Sequence, residues 1–469
     1  MSIRTMNTNN KVSGTLRGPK AARRTYLQRS TRAALLVAMS FTALAALPRG
    51  AFAGPEIPGE EQKQPIALVG GTIHTVSGPT IEDGVLLFER GRITKIGKDI
   101  ELPANTKQIS VVGKHVYPSL FDAHTNLGLV EVNSVKATVD DHETGHINPN
   151  VKAQVAYNPD SEIIPVTRSS GVLLSLVAPT GELVSGRSAV MQMDGWTWED
   201  ATLRDDIALH MTWPDMMPVY AWLAEKSPKE QMEARDKQLD ELRQTFANAE
   251  AYRKARQAAG SRQPVDARWE SLLPVLAGKL PVIIHADEAQ GIQAAVAFCE
   301  RHKLKMILYG GYDAEHCAAL LKKHNIPVIV AGVQRLPMRR AEEYDAPYTL
   351  PERLRKAGLK FCISVSGRFG ASNVRNLPYN AGMAVAFGLP HDEALKSITL
   401  YPAEILGVAD RVGSLDAGKD ATLIVTDGDP LETATQVEAA FIQGRAVDLN
   451  DRHKRLWKKY EEKYRRQAK

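Results

Sequence analysis

Short apolar runs that alternate with helical stretches constrain the fold of this chain more than any other feature. Seven runs have the length and composition of buried strands, at residues 172–177, 189–193, 207–211, 282–285, 306–309, 328–330 and 361–365. Helical patterns such as 290–302, 314–324 and 350–357 lie between them. This alternation predicts an α/β fold with a parallel sheet, most economically closed as a (β/α)8 TIM-type barrel over residues 119–405.

The segments on either side of the predicted barrel have a different pattern. Residues 66–118 and 411–448 contain short apolar pieces separated by Gly, Asp and Lys turns, which predicts β-strands in both flanks. Within the barrel region, residues 229–259 are strongly charged. They follow Ser227 and Pro228, which are typical residues for the start of a helix. We therefore expect a solvated helical insertion there.

The last segment, residues 451–469, predicts a basic helix. Leu456, Tyr460 and Tyr464 recur at a spacing of four and form one apolar stripe, with Trp457 beside them. We expect this helix to dock on the acidic body of the protein, with binding to a membrane surface as the alternative.

The N-terminal segment has the features of an export signal. Residues 33–48 form an apolar run of 16 residues that follows a basic stretch and precedes Ala51-Phe52-Ala53. A membrane span needs about 20 residues, so a signal peptide at 1–53, cut before Gly54, is favoured over an uncleaved anchor. The pair Arg23-Arg24 resembles a twin-arginine signal, and the general secretory route is the alternative. We expect a periplasmic or secreted protein with no integral membrane segment after signal removal.

The charge distribution argues against a nucleic-acid-binding protein, and the cysteine content argues against a fold held together by disulfides. The net charge is +5, but residues 1–53 carry nine basic and no acidic residues, and 452–469 carry nine basic residues against two glutamates. The segment between them, 54–451, has a net charge of −11, which argues against a nucleic-acid partner. The three cysteines, Cys299, Cys317 and Cys362, are too few and of the wrong parity for a disulfide framework.

The segment Val116-Tyr-Pro-Ser-Leu-Phe-Asp-Ala-His124-Thr-Asn126-Leu-Gly128 resembles the first-strand motif of the amidohydrolase superfamily. That motif has the form Pro-Gly-hydrophobic-hydrophobic-Asp-x-His-x-His, and its alternation lets both imidazoles reach one metal. Residues 375–385, 394–407 and 413–421 resemble further segments of the superfamily, the first of them in its imidazolonepropionase-like branch. The resemblance covers nearly all of 64–450. It implies one small β-sandwich domain built from residues 54–118 and 406–450 beside the barrel.

The departures from the family pattern bear on the metal site. The family's usual ligands are two histidines on strand one, a Lys or Glu on strand four, histidines on strands five and six, and an Asp on strand eight. Here His124 and His285 match, whereas Asn126 replaces the second histidine and the strand-six and strand-eight positions at 308–311 and 365–367 lack their ligands. His210 stands where the bridging residue is expected. The resemblance thus implies one divalent ion, Zn²⁺ by preference, held by His124, His210 and His285, or else no metal at all.

Other polar residues near the same strand ends are candidates for catalysis and binding. Asp287, Glu288 and Asp313 are the nearest substitutes for the missing strand-eight acid. Asn126, Arg368 and Arg375 are candidates for substrate binding, although the two arginines suit a surface role equally well. A loop cluster at 140–146 could hold a second metal, but a solvated loop is the favoured interpretation.

Together these features predict an exported amidohydrolase-like hydrolase. It would cleave a carbon–nitrogen bond, other than a peptide bond, in a small amide or cyclic amide through a metal-bound water. The alternative is a metal-free, non-catalytic barrel that binds a small molecule or a partner. A homo-oligomer is compatible with the sequence.

Overall fold

The computed structural model describes residues 57–219, 225–259, 264–365 and 369–467. The predicted signal peptide and Arg368 lie outside the described residues. The strands found within these ranges are β1 (Ile66–Ile73), β2 (Ile81–Glu89), β3 (Arg92–Gly97), β4 (Lys107–Ser110), β5 (His115–Pro118), β6 (Leu120–Thr125), β7 (Val172–Val177), β8 (Val184–Gln192), β9 (Thr202–Thr212), β10 (Val282–Ala286), β11 (Met306–Gly310), β12 (Val328–Ala331), β13 (Phe361–Ser364), β14 (Leu423–Thr426), β15 (Val437–Ile442) and β16 (Arg445–Ala446).

The α-helices within the same ranges are Ile163–Arg168, Trp198–Ala201, Pro228–Ala259, Ala267–Leu276, Ala289–His302, Ala318–Lys323, Ala346–Lys356, Gly370–Asn373, Leu377–Ala386, His391–Ser397, Leu400–Ile405 and Arg452–Gln467. Short 3-10 turns occupy Lys136–Thr138, Ala153–Ala156, Ala314–Cys317 and Val374–Asn376. In the part of the chain that is described, none of these helices combines the length and apolarity that crossing a bilayer requires.

One β-sheet draws its strands from both terminal segments. Its order is β16-β15-β14-β5-β1-β2-β3, with β4 paired to β1. The junction is the antiparallel pair of β5 and β14, where Pro118 lies opposite Leu423. Large apolar side chains such as Phe88 and Phe441 are buried in its core. The expected β domain beside the barrel is therefore confirmed.

The second sheet is the barrel, with strand order β13-β12-β11-β10-β9-β8-β7-β6. Its two edge strands meet through the carboxylate of Asp122 on β6. The Ser364 hydroxyl donates to Asp122 Oδ1 over 2.6 Å, and the Val365 amide donates to the same atom over 3.2 Å. A buried side chain thus links the strands at the point where the sheet closes on itself, and the predicted barrel is confirmed.

The expectation of a parallel sheet is wrong for one strand. β8 runs antiparallel to both β7 and β9, whereas the other pairs in the barrel are parallel. The six residues between β7 and β8 are too few for a parallel crossover, which needs about a dozen. The start of β8 consequently lies at the same end of the barrel as the carboxyl ends of its neighbours.

The two charged helices differ in how they attach to the body. Ser227 and Glu230 form reciprocal bonds at the start of Pro228–Ala259, as a capping box does. The terminal helix, Arg452–Gln467, contacts the body through charged side chains, since Arg455 lies 2.9 Å from Glu162. Its apolar stripe is exposed, so the expected docking does not involve the stripe.

Candidate metal centre and its pocket

Three histidines from three strands converge inside the barrel. His124 is on β6, His210 on β9 and His285 on β10, each close to the carboxyl end of its strand. One ring nitrogen of each lies within 4.8 Å of the others. His210 Nδ1 and His285 Nε2 are 3.2 Å apart. Two nitrogens bound to one tetrahedral Zn²⁺ at its usual bond length would lie about 3.3 Å apart, so this spacing suits a shared ion.

The protonation state of the cluster also suits a metal. Burial lowers the pKa of His285 to about 4, and burial together with the neighbouring imidazoles holds the pKa values of His124 and His210 well below their ordinary value. Neutral imidazole is the form that binds metal ions. Among the described residues, Nε2 of His124 and Nε2 of His210 have no hydrogen-bond partner although both are buried. Unpaired buried nitrogens are costly, and a bound cation would account for Nε2 of His124; His210 faces His285 through Nδ1, so its own Nε2 would not bind the same ion.

Tyr309 of β11 packs directly on the histidines. It lies opposite His285 in the sheet register. Its ring centroid is 3.9 Å from that of His124, nearly stacked, and 4.6 Å from that of His285. Burial raises the pKa of its phenol, which therefore remains protonated at neutral pH. The ring of Tyr309 thus packs on the cluster from β11, the strand on which the family resemblance predicts another histidine.

Asp122 lies two residues before His124 on the same face of β6. It is fully buried, and its Oδ2 has no partner among the described residues. Burial raises the pKa of this carboxyl to about 7, although the bonds from Ser364 and Val365 favour its charged form. The sequence analysis assigned no role to Asp122 or Tyr309. Their positions could have indicated one, because Asp122 is on the strand of His124 and Tyr309 is on the strand where the family has a histidine ligand.

A pocket of about 380 Å³ opens beside the cluster. His285 and Tyr309 contribute to its wall, so they connect the pocket with the three-histidine cluster. The other lining residues are the last residues of β9 to β12 and residues from the segments that follow β9, β10 and β12: Thr212, Trp213, Pro214, Asp215, Met216, Met217, Val219, Ala286, Asp287, Glu288, Gly291, Gly310, Ala331 and Met338.

The three predicted acids have different surroundings. Asp287 lines the pocket, where its Oδ1 accepts from the Tyr312 amide over 3.2 Å and its Oδ2 lies 3.7 Å from Arg335. Glu288 also lines it, and its carbonyl accepts the first bond of the following helix.

Asp313, by contrast, is held by Arg339 through two bonds of 2.9 and 2.6 Å and accepts from the Ala289 amide. It is not among the described residues that line the pocket.

Two of the predicted substrate-binding residues, Asn126 and Arg375, are placed away from the pocket wall. Asn126 donates to Asp141 Oδ2 over 3.0 Å, and Asp141 Oδ1 lies 2.8 Å from His142 Nδ1. Arg375 lies 3.2 Å from His453 of the terminal helix. Neither Asn126 nor Arg375 is among the described lining residues.

Comparisons with known proteins give a consistent picture. Residues 274–448 match the model of the amidohydrolase family. The amidohydrolase tasK of Hapsidospora irregularis is 24% identical over 390 residues, which cover 77% of this chain and 40% of that protein. This chain therefore spans less than half of that relative's length.

Two further relatives match over most of their length. Imidazolonepropionase of Mesorhizobium japonicum is 24% identical over 405 residues, or 81% of this chain and 92% of the relative. The crystal structure of an amidohydrolase from Thermotoga maritima MSB8 superposes with a TM-score of 0.72 at 25% identity, covering 82% of this chain and 99% of that chain.

Proposed function

Since this chain belongs to the amidohydrolase superfamily, in its imidazolonepropionase-like part, we propose that it is a metal-dependent hydrolase of carbon–nitrogen bonds. The bond would be one other than an ordinary peptide bond, in a small amide or cyclic amide. The observation that carries the proposal is the meeting of three neutral histidines beside an open pocket at the end of the barrel where such folds place their chemistry.

The proposed site holds one divalent ion through His124, His210 and His285. A set of three imidazoles favours Zn²⁺ over the oxygen-seeking Mg²⁺ and Ca²⁺. When bound, the ion would polarise the amide carbonyl and activate a water molecule for attack on its carbon. The chain's own residues would orient the substrate and move protons.

Asp287 is the residue that we assign to proton transfer. Its carboxylate lines the pocket and is fixed by the Tyr312 amide and by Arg335. It would accept the proton of the attacking water and return a proton to the leaving nitrogen. Glu288, which lines the same pocket, is the alternative. Asp313 is tied to Arg339, and we assign it a positioning role in the turn after β11.

We further propose that the protein is exported. The apolar run at 33–48 and the Ala51-Phe52-Ala53 site support this. The test is N-terminal sequencing of the mature protein from cell fractions. A periplasmic or secreted form that begins at Gly54 is expected, and retention of residues 1–53 on a membrane-bound form would contradict it.

The second candidate function is binding without metal or catalysis. The contact of His210 Nδ1 with His285 Nε2 favours it, because one hydrogen bond could satisfy these two nitrogens without an ion. The two candidates differ in their response to metal.

A panel of small N-acyl and cyclic amides, followed by NMR detection of the released amine or acid, distinguishes them. Turnover that is abolished by chelation and restored by Zn²⁺ is expected for the hydrolase. Saturable binding of a panel member without turnover, unchanged by chelation, would support the metal-free barrel.

A further inference from the structure

The terminal helix, Arg452–Gln467, presents an apolar stripe that none of the described residues covers. The exposed fractions are 41% for Leu456, 63% for Trp457, 48% for Tyr460 and 62% for Tyr464. The four side chains lie on one side of the helix because they are spaced by one, three and four residues. A soluble helix rarely keeps such a stripe open to water unless something binds it.

The contacts of the helix with the body leave this stripe free. Asp451 caps its first turn by accepting from the Lys454 amide over 2.9 Å. Arg455 holds the first turn against Glu162, at 2.9 Å. At 3.6 residues per turn, Arg455 lies roughly 150° around the helix from the centre of the stripe. By the same spacing His453, which lies 3.2 Å from Arg375, is on the side of the stripe. The described anchoring contacts are thus confined to the first turn, and the four side chains of the stripe remain 41–63% exposed.

The charge around the stripe is strongly positive. Residues 452–469 contain nine Lys and Arg residues and two glutamates, whereas residues 54–451 carry a net charge of −11. Lys459 and Lys463 lie beside the stripe, each 5.8 Å from the centre of the Tyr460 ring. The helix is therefore a local cationic patch on an otherwise acidic protein.

We propose that this helix binds the surface of a bilayer that contains anionic lipids. Trp and Tyr rings favour the boundary between headgroups and acyl chains, since one end of each ring is apolar and the other can bond to water. The Lys and Arg residues on either side would meet the lipid phosphates, and the helix axis would lie in the plane of the surface. This inference does not depend on the proposed enzymatic activity.

The direct test is vesicle flotation of the chain from Gly54 to Lys469. We expect binding to phosphatidylcholine vesicles that contain about one-third phosphatidylglycerol, at least about tenfold tighter than to phosphatidylcholine alone, and weakened by salt. The variant Trp457→Ser/Tyr460→Ser/Tyr464→Ser should lose the binding. So should Lys458→Gln/Lys459→Gln/Lys463→Gln, which leaves the stripe intact.

The matched control is Leu336→Ser/Tyr344→Ser, which removes two other exposed apolar side chains, 82% and 71% exposed, and should bind as the wild type does. Circular dichroism checks that each variant is folded. The fluorescence of Trp457, obtained by difference from Trp457→Phe, should shift to shorter wavelength with anionic vesicles.

Absence of vesicle binding would overturn the proposal, as would binding that the stripe substitutions leave unchanged. Light scattering, which measures the oligomeric state, can also contradict the proposal. A concentration-dependent dimer that the stripe substitutions abolish, without vesicle binding, would show that a second copy of the chain covers the stripe.

Discussion

His210 Nδ1 and His285 Nε2 face each other across 3.2 Å, between neighbouring strands of the barrel. In the metal-free protein a proton shared along this line can satisfy both nitrogens, whereas in the metal-bound protein the same two lone pairs would meet at the ion. A proton and a metal ion would therefore compete for these two nitrogens.

We expect acid to destabilise the metal-free protein through His285. Its pKa is about 4 in the folded protein against an ordinary 6.5, so the unfolded chain takes up the proton first as the pH falls. The contribution of neutral His285 to the free energy of unfolding is therefore complete above pH 6.5. It is lost as the pH falls from about 6.5 to 4, by up to about 3 kcal/mol. Urea unfolding of chelated protein at pH 7 and 5 measures the loss, and His285→Gln should reduce it. Equal losses in both proteins would contradict the assignment.

Asp122 should act in the opposite direction. Its pKa is raised from 3.8 to about 7, so its contribution to stability is complete at low pH and is lost as the pH rises through 7. The variant Asp122→Asn can still accept the bonds from Ser364 and Val365. We expect its free energy of unfolding, relative to that of the wild type, to improve by about 2–4 kcal/mol between pH 4 and pH 8. A pH-independent difference between the two proteins would rule out a buried carboxyl with this pKa.

The roles of Asp287 and Glu288 can be separated by a pair of isosteric variants. Asp287→Asn should lower kcat by about 10²–10⁴ on any amide that the wild type hydrolyses, because the proton carrier is removed. Glu288→Gln should have little effect, and both variants should retain their metal. The reverse pattern of kcat values would transfer the proton-transfer role to Glu288.

Asp313 should matter for stability rather than for the metal. Its carboxylate is buried and accepts two bonds from Arg339 and one from the Ala289 amide. Replacement by Ala should lower the free energy of unfolding by about 1–3 kcal/mol because these donors lose their partner. The metal content of the same variant should equal that of the wild type. Loss of metal would show that Asp313 belongs to the metal centre.

The sequence predicted the parts of the fold that depend on local periodicity. His124, His210 and His285 were identified through the resemblance to the amidohydrolase motif, and their positions near the ends of predicted strands supported the assignment because parallel strand ends meet at one edge of a barrel. The antiparallel direction of β8 could not be predicted in this way, because an apolar run has the same pattern in a parallel and in an antiparallel strand. The predicted strand at 189–193 also begins five residues later than β8, so the link before it was predicted to be longer than the six residues in the structure.

Side-chain contacts between segments that are distant in the chain were harder to predict from the sequence. The stacking of Tyr309 on His124 depends on the register of strands that are not adjacent in the sheet. The bond of Ser364 to Asp122 joins residues 242 positions apart. Arg375 could be placed near strand eight by sequence, but its contact with His453 required knowledge of where the terminal helix begins.

Metal analysis of the purified mature protein is the measurement that bears most directly on the three-histidine centre. After incubation with Zn²⁺ and removal of the excess, we expect about one equivalent in the wild type and in His316→Ala, which removes an exposed histidine outside the cluster. We expect His285→Ala to lose most of it. Less than about 0.1 equivalents in the wild type, or full retention in His285→Ala, would contradict the assignment of the centre.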